Sequence, residues 1–449
     1  MQTMETHKAK QTVVVGLGAS GLACVRYLHR KGVPVAVTDS RVEPPCVDEA
    51  RTLLDTGALH LGGIDVRLLR EADEVVLSPG VSPEEPAVAA ALDAGVPVIG
   101  EVELFARAAH APVAAITGSN GKSTVTTLLG EMARAAGRDV AVGGNLGTPA
   151  LDLLRSPEPA LYVLELSSFQ LETLHSLKPV AATVLNICED HLDRHHSLDR
   201  YAAIKARIFH GGGVMVLNRD DALVRGMALT GRRVRWFGAE EPLGSNDYGL
   251  RQQGGDTWLC RGDHRLVAAA ELRLQGRHNL MNGLAALALA DALGLPLAAC
   301  LDALRGFAGL PHRMQWVAHR ARMDWVNDSK ATNVGATLAA VLGLDRPLVL
   351  IAGGDGKGAD FAPLAQALRG RARAAVLLGK DAPRLEAALK DVVPIEVAPD
   401  MARAVERAAA LGEPGDLVLL SPACASLDMY ANYMARGDAF SDAVGRLPS

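Results

Sequence analysis

Short apolar runs rich in Val, Leu and Ala alternate along the chain with segments of helical periodicity. That alternation predicts parallel sheets with crossover helices. Strands are expected at Gln11–Val15, Val33–Thr38, Glu74–Leu77 and Val96–Ile99, the first ending in a glycine turn. After Gly100 a helical segment, Glu101–Ala109, leads to a new strand at Val113–Thr117 and a second glycine-rich loop. Further strands fall near Leu161–Glu165 and Ala181–Asn186, and a more irregular, hairpin-like part covers about 212–275. A third unit opens after Gly309-Leu310-Pro311, with strands at Met323–Val326, Leu348–Ala352, Ala374–Leu378 and Leu417–Leu420. The expected fold is three Rossmann-like or P-loop α/β domains in series with mainly parallel sheets, divided as 1–100, 101–309 and 310–449.

Composition narrows the class. Hydrophobic residues at 49% and charged ones at 22% are those of an ordinary globular chain, and 4% aromatics leave the cores to aliphatic residues. A net charge of -5, with arginines scattered among acids, gives no electrostatic case for nucleic acid. The six cysteines are too far apart for a zinc site or a disulfide framework. Met1–Lys10 is polar, and the most apolar stretch, Leu284–Leu295, is short and interrupted by Asp291. It reads as a buried helix, and the protein is expected in the cytoplasm, off the membrane and monomeric. Lysine is scarce, 10 against 36 arginines, so a lysine inside a motif draws notice.

The sharpest motif is TGSNGKST at 117–124, after a strand and opening a helix. Its glycines let backbone N–H groups close on phosphate, Lys122 can reach the outer phosphates, and Ser123 can bind magnesium. Ile116 stands where the general P-loop has its first glycine. Glu165 ends a buried strand, where an acid is either a metal ligand or a cap. In Glu189-Asp190-His191-Leu192-Asp193 the imidazole is an unusual partner for magnesium, and a capped turn would look the same. Lys205 lies within the apolar stripe of Tyr201, Ile204 and Ile208, with Arg200 and Arg207 on the opposite face. It either snorkels or works as a neutral amine, a form able to react with carbon dioxide.

The first loop, Gly16-Leu17-Gly18-Ala19-Ser20-Gly21, matches the dinucleotide fingerprint, with Asp39 ending the next strand. Alone it favours an NAD-dependent oxidoreductase; more narrowly, it provides a diphosphate site at a helix N-terminus. Three loops of the last unit, at 327–333, 353–357 and 421–428, sit at strand C-termini.

Together the segments TGSNGKST, LELSSFQLE, EDHLD, GLPHR, NDSKATN, GGDGKGADF and LSPACASLDMY resemble the Mur ligases of peptidoglycan synthesis, over essentially the whole chain. The shortened phosphate loop is this family's form. The resemblance implies an ATP- and magnesium-dependent amide ligase that joins D-glutamate to UDP-N-acetylmuramoyl-L-alanine through an acyl phosphate. It implies UDP-substrate contacts at Ser20, Asp39, Ser40, Ser78, Asn145 and His191. ATP would fall to Gly118, Ser119, Asn120, Gly121, Lys122, Ser123 and Thr124, with Asn279, Asn282, Arg313 and Asp328. Two magnesium sites would use Ser123, Glu165, His191 and a carbamylated Lys205, with Lys330 neutralising charge nearby. D-glutamate would meet Thr332, Lys357, Ser426, Leu427 and Tyr433, the last a phenylalanine in typical members. A sister Mur ligase or a folylpolyglutamate-type ligase is the nearer alternative to the oxidoreductase.

Overall fold

The computed structural model describes residues 11–448, apart from 275 and 345. The polar segment Met1–Lys10 lies outside the described residues. Three sheets follow one another along the chain. The first holds β1 (Thr12–Val15), β2 (Val35–Asp39), β3 (Leu59–Leu61), β4 (Glu74–Leu77) and β5 (Val98–Gly100), all parallel, in the order β3-β2-β1-β4-β5. Strand order reverses beside β1, so the loops after β1 and β4 open a crevice there, the position where such sheets bind ligands. Helix α1 (Ala19–Arg30) starts at that edge.

The second sheet has nine strands. They are β6 (Val113–Thr117), β7 (Val140–Gly144), β8 (Leu161–Glu165), β9 (Ala181–Val184), β10 (Val214–Asn218), β11 (Val234–Phe237), β12 (Tyr248–Gln253), β13 (Asp256–Arg261) and β14 (His264–Ala268). β6 lies between β8 and β9, and only β12 to β14 run antiparallel. The third sheet holds β15 (Gln315–Arg320), β16 (Met323–Asn327), β17 (Leu348–Gly353), β18 (Ala372–Leu378), β19 (Ile395–Val397) and β20 (Leu417–Leu420), in the order β15-β16-β20-β17-β18-β19. This bears out three mainly parallel α/β units in series.

Several strands lay hidden in the sequence. The stretch read as irregular, 212–275, carries β10 and β11, which extend the parallel sheet, and then the antiparallel β12–β14. β3, β7, β15 and β19 also lack a clear apolar run in the sequence. β3 and β19 have three residues each, and β7 ends in two glycines. The turn joining β15 to β16 uses Ala321 and Arg322 at φ 50° and 64°, a left-handed pair that glycine or asparagine normally announces.

Helix α2 (Glu101–Ala108) leads from the first sheet to the second, and its Val102, Leu104 and Phe105 belong to one core with α1 and β8. Glu101 is buried there. Its Oε1 accepts the Leu151 N–H at 2.6 Å, while Oε2 has no partner among the described residues. Burial, reinforced by nearby Asp152, pushes this carboxyl up to about 7. A raised pKa means that the folded state keeps its proton after the unfolded chain has lost it. Stability should therefore fall as pH rises from about 4.5 to 7, by about 3 kcal/mol at most. In Glu101→Gln this loss should vanish. Urea denaturation at pH 5 and pH 8 checks it: the wild-type midpoint should drop relative to the variant's, and parallel midpoints would refute it.

The other helices that frame the site are α3 (Lys122–Ala135), α4 (Ser168–Glu172), α5 (Leu192–His195), α6 (Leu198–Ala206), α7 (Arg277–Ala292), α8 (Val334–Leu342) and α9 (Tyr433–Gly445). Leu284 to Ala290 are all buried within α7, which packs on α3 as the sequence reading of a buried helix required. Among the described residues no helix is long and apolar enough to cross a membrane.

Candidate active site

The phosphate loop runs from β6 into α3. Gly121 caps α3 at φ 82°, and a Cβ there would stand 2.4 Å from Asn282 Oδ1. Gly118, at φ 151°, lies so close to β9 that a Cβ would meet Leu185 at 3.0 Å. Both positions thus require glycine. The Lys122 ammonium folds back on its own loop, donating to the carbonyls of Gly118 at 2.8 Å and Ser119 at 2.9 Å. From the third unit Arg313 reaches Ser123, its Nη2 donating to Oγ at 2.6 Å.

Around this loop lies a cavity lined by Ser119 to Ser123, Asn145, Glu165, His191, Lys205, Arg313, Lys330 and Thr332. Its cations are partly withdrawn from solvent. Burial lowers Lys122 and Arg313, and burial with the charges of Arg313 and Lys122 brings Lys330 down to about 8. Several desolvated cations around one space form a site for a polyanion. Glu165 closes one side: Oε1 accepts from Asn145 Nδ2 at 2.6 Å, and Oε2 is buried without a partner among the described residues. His191 sits in left-handed conformation at φ 54°, edge-on to Phe169 at 4.8 Å, and burial lowers its pKa.

Lys205 does not snorkel. Its side chain is 1% exposed, and Nζ donates to Gly118 O at 3.0 Å and Thr117 Oγ1 at 3.2 Å, 4.6 Å above the Tyr201 ring. Burial, with the charge of Lys122, drives this amine well below its usual pKa, so the neutral form is favoured. Tyr201 and Ile208 are buried beside it as the stripe required. Arg207, expected on the outer face, instead turns inward and donates to the carbonyls of Glu172 and Leu174, both at 2.6 Å. The helix passes into a tighter 3₁₀ turn at Arg207–Phe209, which rotates the side chain off the predicted face.

Among the described residues no three His, Cys, Asp or Glu side chains group as a metal site. Magnesium takes one or two carboxylates and fills its shell with water and phosphate oxygens. The orphaned Glu165 oxygen, the Ser123 hydroxyl and the adjacent polyanion cavity fit that ion.

Two further pockets adjoin. One, of about 310 Å³, is lined by Asn120, Gly121, Thr124, Asn279, Asn282, Arg313, Asp328 and Lys330, and is large enough for a nucleoside. Asn186, Phe237 and His278 also line it, and no sequence motif pointed to them. The other is the crevice of the first sheet, lined by Ser20, Asp39, Ser40, Ser78 and Asn145. Asn145 therefore faces both this crevice and the phosphate cavity, whereas His191 lines only the latter. Both Asp39 oxygens are already engaged: Oδ2 by the Leu17 N–H and Arg41 Nη2, Oδ1 by the Arg41 N–H and Nε. Burial alone would raise this carboxyl, but Arg41 and the two N–H groups hold it down at about 2. Arg41 itself lines the crevice, and no sequence motif points to it.

The third unit is less converged. Lys357 Nζ lies 3.7 Å from Asp190 Oδ1. Lys330 Nζ stands 3.9 Å over the Tyr433 ring. Ser426 is buried and Leu427 is 74% exposed. None of Lys357, Ser426, Leu427 and Tyr433 lines the three cavities described.

A phosphate loop of this shortened form, with three α/β sheets and a crevice that shares Asn145 with the phosphate cavity, marks a class of protein. Residues 10–100 match the family model of the Mur ligase MurD-like N-terminal domain, 116–290 that of the Mur ligase middle domain, and 312–424 that of the Mur ligase glutamate ligase domain. The chain belongs to the Mur ligase family. Among its relatives is the UDP-N-acetylmuramoylalanine--D-glutamate ligase of Nitrosococcus oceani, 52% identical, with 100% of this chain and 99% of the relative covered. The ligase of the same name from Pseudomonas putida is 51% identical, with 97% of each covered. The fold is that of MurF from Acinetobacter baumannii, with a TM-score of 0.62 at 18% identity over 98% of this chain and 92% of that one. It is also that of the UDP-N-acetylmuramate-alanine ligase MurC from Thermotoga maritima, with a TM-score of 0.60 at 19% identity over 96% and 98%. The oxidoreductase alternative falls with this assignment.

Proposed function

We propose that this protein is the ATP-dependent ligase that joins D-glutamate to UDP-N-acetylmuramoyl-L-alanine, forming an amide and releasing ADP and phosphate. The observation that carries the reading is Asn145, which lines both the nucleotide crevice of the first sheet and the phosphate cavity of the second. A substrate held by its UDP end at Ser20, Asp39, Ser40 and Ser78 can thereby deliver its far carboxylate to the phosphate loop, past Asn145 and His191. The names of relatives about 50% identical over the full chain supply the substrates.

ATP occupies the adjoining pocket, its nucleoside against Asn279, Asn282 and Asp328. Its phosphates lie along Gly118 to Thr124 and Arg313. The substrate carboxylate attacks the γ-phosphorus in line, ADP leaves, and an acyl phosphate forms. The neutral amine of D-glutamate then attacks the acyl carbon, the acyl C–O bond breaks with its electron pair leaving on phosphate, and the nitrogen loses a proton as the amide forms. Lys122, Arg313 and Lys330 stabilise the charge on the transferring group. Ser123, Glu165 and His191 would hold magnesium, which neutralises phosphate charge when bound. The neutral Lys205 amine forms an N–C bond to carbon dioxide and loses a proton, and the resulting carbamate would support a second magnesium. Thr332, Lys357, Ser426, Leu427 and Tyr433 receive D-glutamate. Lys357 exchanges Asp190 for a substrate carboxylate as the third unit closes over the second. We take the domains as 1–100, 101–309 and 310–449, the protein as monomeric and cytoplasmic, and nucleic acid and membrane as no part of its work.

Phosphate release from ATP and magnesium with UDP-N-acetylmuramoyl-L-alanine tests this, offering D-glutamate, L-glutamate, L-lysine and meso-diaminopimelate in turn. Turnover with D-glutamate alone is expected. Turnover with another amino acid would keep the chemistry and overturn the assignment of the third unit.

A further inference from the structure

The nucleotide crevice and the phosphate cavity belong to different sheets, so something must set the distance between them. Arg194, on the short helix α5, joins the two. Its Nη1 donates to Pro79 O at 3.2 Å and its Nη2 to Val81 O at 3.1 Å. Both carbonyls belong to the loop after β4 that lines the crevice. Nη2 also donates to Glu172 Oε2, on α4, at 2.5 Å. The guanidinium plane lies 4.5 Å over the ring of Phe169, which in turn meets His191 edge-on, and both rings' residues line the phosphate cavity. One side chain, only 11% exposed, thus touches the wall of the crevice and supports the wall of the cavity.

We infer that Arg194 is a positioning residue for the ligase reaction: it fixes the nucleotide crevice relative to the phosphate loop, so that the far end of a bound nucleotide-sugar substrate meets the phosphate in line. The inference rests on the ligase reading above. Physical chemistry favours arginine for the task. A planar fork can serve two carbonyls and a carboxylate while its face stacks on a ring, and a lysine cannot do all of these. A second link between the same segments, Glu84 with His196 at 2.9 Å and Arg200 at 2.6 Å, lies at the surface. Exposed ion pairs contribute little, so it provides a control rather than a rival. Alignment matters because a displacement of about 1 Å at the reacting atoms costs roughly a hundredfold in rate.

The test compares wild type, Arg194→Ala, Arg194→Lys and Glu84→Gln in steady-state turnover with UDP-N-acetylmuramoyl-L-alanine, D-glutamate and ATP, with thermal melts of each. In Arg194→Ala, kcat/KM for the nucleotide-sugar substrate should fall at least about tenfold, while KM for ATP stays within about twofold. Arg194→Lys should remain impaired, added ethylguanidinium should partly restore Arg194→Ala, and Glu84→Gln should stay within about threefold of wild type. Wild-type kinetics in Arg194→Ala would overturn the inference alone. So would a joint rise of both KM values with a lowered melting temperature and no guanidinium rescue, which would mark a merely structural arginine. A wild type silent with these substrates would overturn the ligase reading and this inference with it.

Discussion

Replacing Lys205 by alanine is expected to reduce phosphate release by on the order of a thousandfold, the scale on which loss of one preorganised charge in a dry site is felt. The side chain is fully enclosed, yet among the described residues its nitrogen hydrogen-bonds a carbonyl and a hydroxyl and no carboxylate. A buried ammonium without a counter-ion is costly, and the surroundings drive the amine to its neutral form. A neutral amine beside a cation-rich cavity is the form that takes up carbon dioxide and turns a positive group into a negative one. The loss in Lys205→Ala should therefore be partly repaired by formate or acetate, which place a carboxylate where the proposed carbamate would stand. Lys205→Arg should not be repaired, because its side chain fills the space with a permanent cation. Thermal melts separate loss of fold from loss of chemistry. Undiminished activity in Lys205→Ala would sink the carbamate, and so would lost activity that no small carboxylate restores while the fold persists.

The second large effect is expected from Lys122→Ala. Its ammonium now closes onto Gly118 O and Ser119 O, the carbonyls of the loop that it serves. Those two bonds keep a desolvated lysine within reach of the cavity until a phosphate takes their place. Without it, two of the three cationic side chains assigned to the transferring phosphoryl group remain, Arg313 and Lys330 from the third unit. The rate should fall roughly 10²- to 10³-fold, with weakened ATP binding in calorimetry and little change in melting temperature. Lys122→Arg should not recover it, since a planar fork does not reproduce the compact ammonium that meets Gly118 O and Ser119 O together. A rate within tenfold of wild type in Lys122→Ala would show that the loop does not cradle the reacting phosphates.

Much of this is legible in the sequence alone. β6, β8 and β20 fall within the residues read as strands, because buried parallel strands are continuous apolar runs bounded by glycine or an acid. The phosphate loop is a local object: its strand, its left-handed Gly121 and the first turn of α3 lie within a few residues of one another. Lys205 was also visible, since a lysine inside an apolar stripe conflicts with periodicity. The strands that escaped notice are short, glycine-ended or joined by a turn such as Ala321-Arg322, where the backbone adopts a conformation that its side chains do not advertise.

By itself, then, the sequence determined the alternation of elements, the phosphate loop and the identity of the groups that can carry charge near it. Only the tertiary structure decided which of them meet. It spent the Asp39 carboxylate on Leu17 and Arg41, turned Arg207 inward onto two carbonyls, and brought Arg313 to Ser123 across 190 residues. It also set Asn145 between two cavities and Arg194 between two sheets. The reason is range. Periodicity and turn chemistry act over a few residues and leave a mark on each stretch of chain, whereas a hydrogen bond between distant loops depends on how whole sheets are packed.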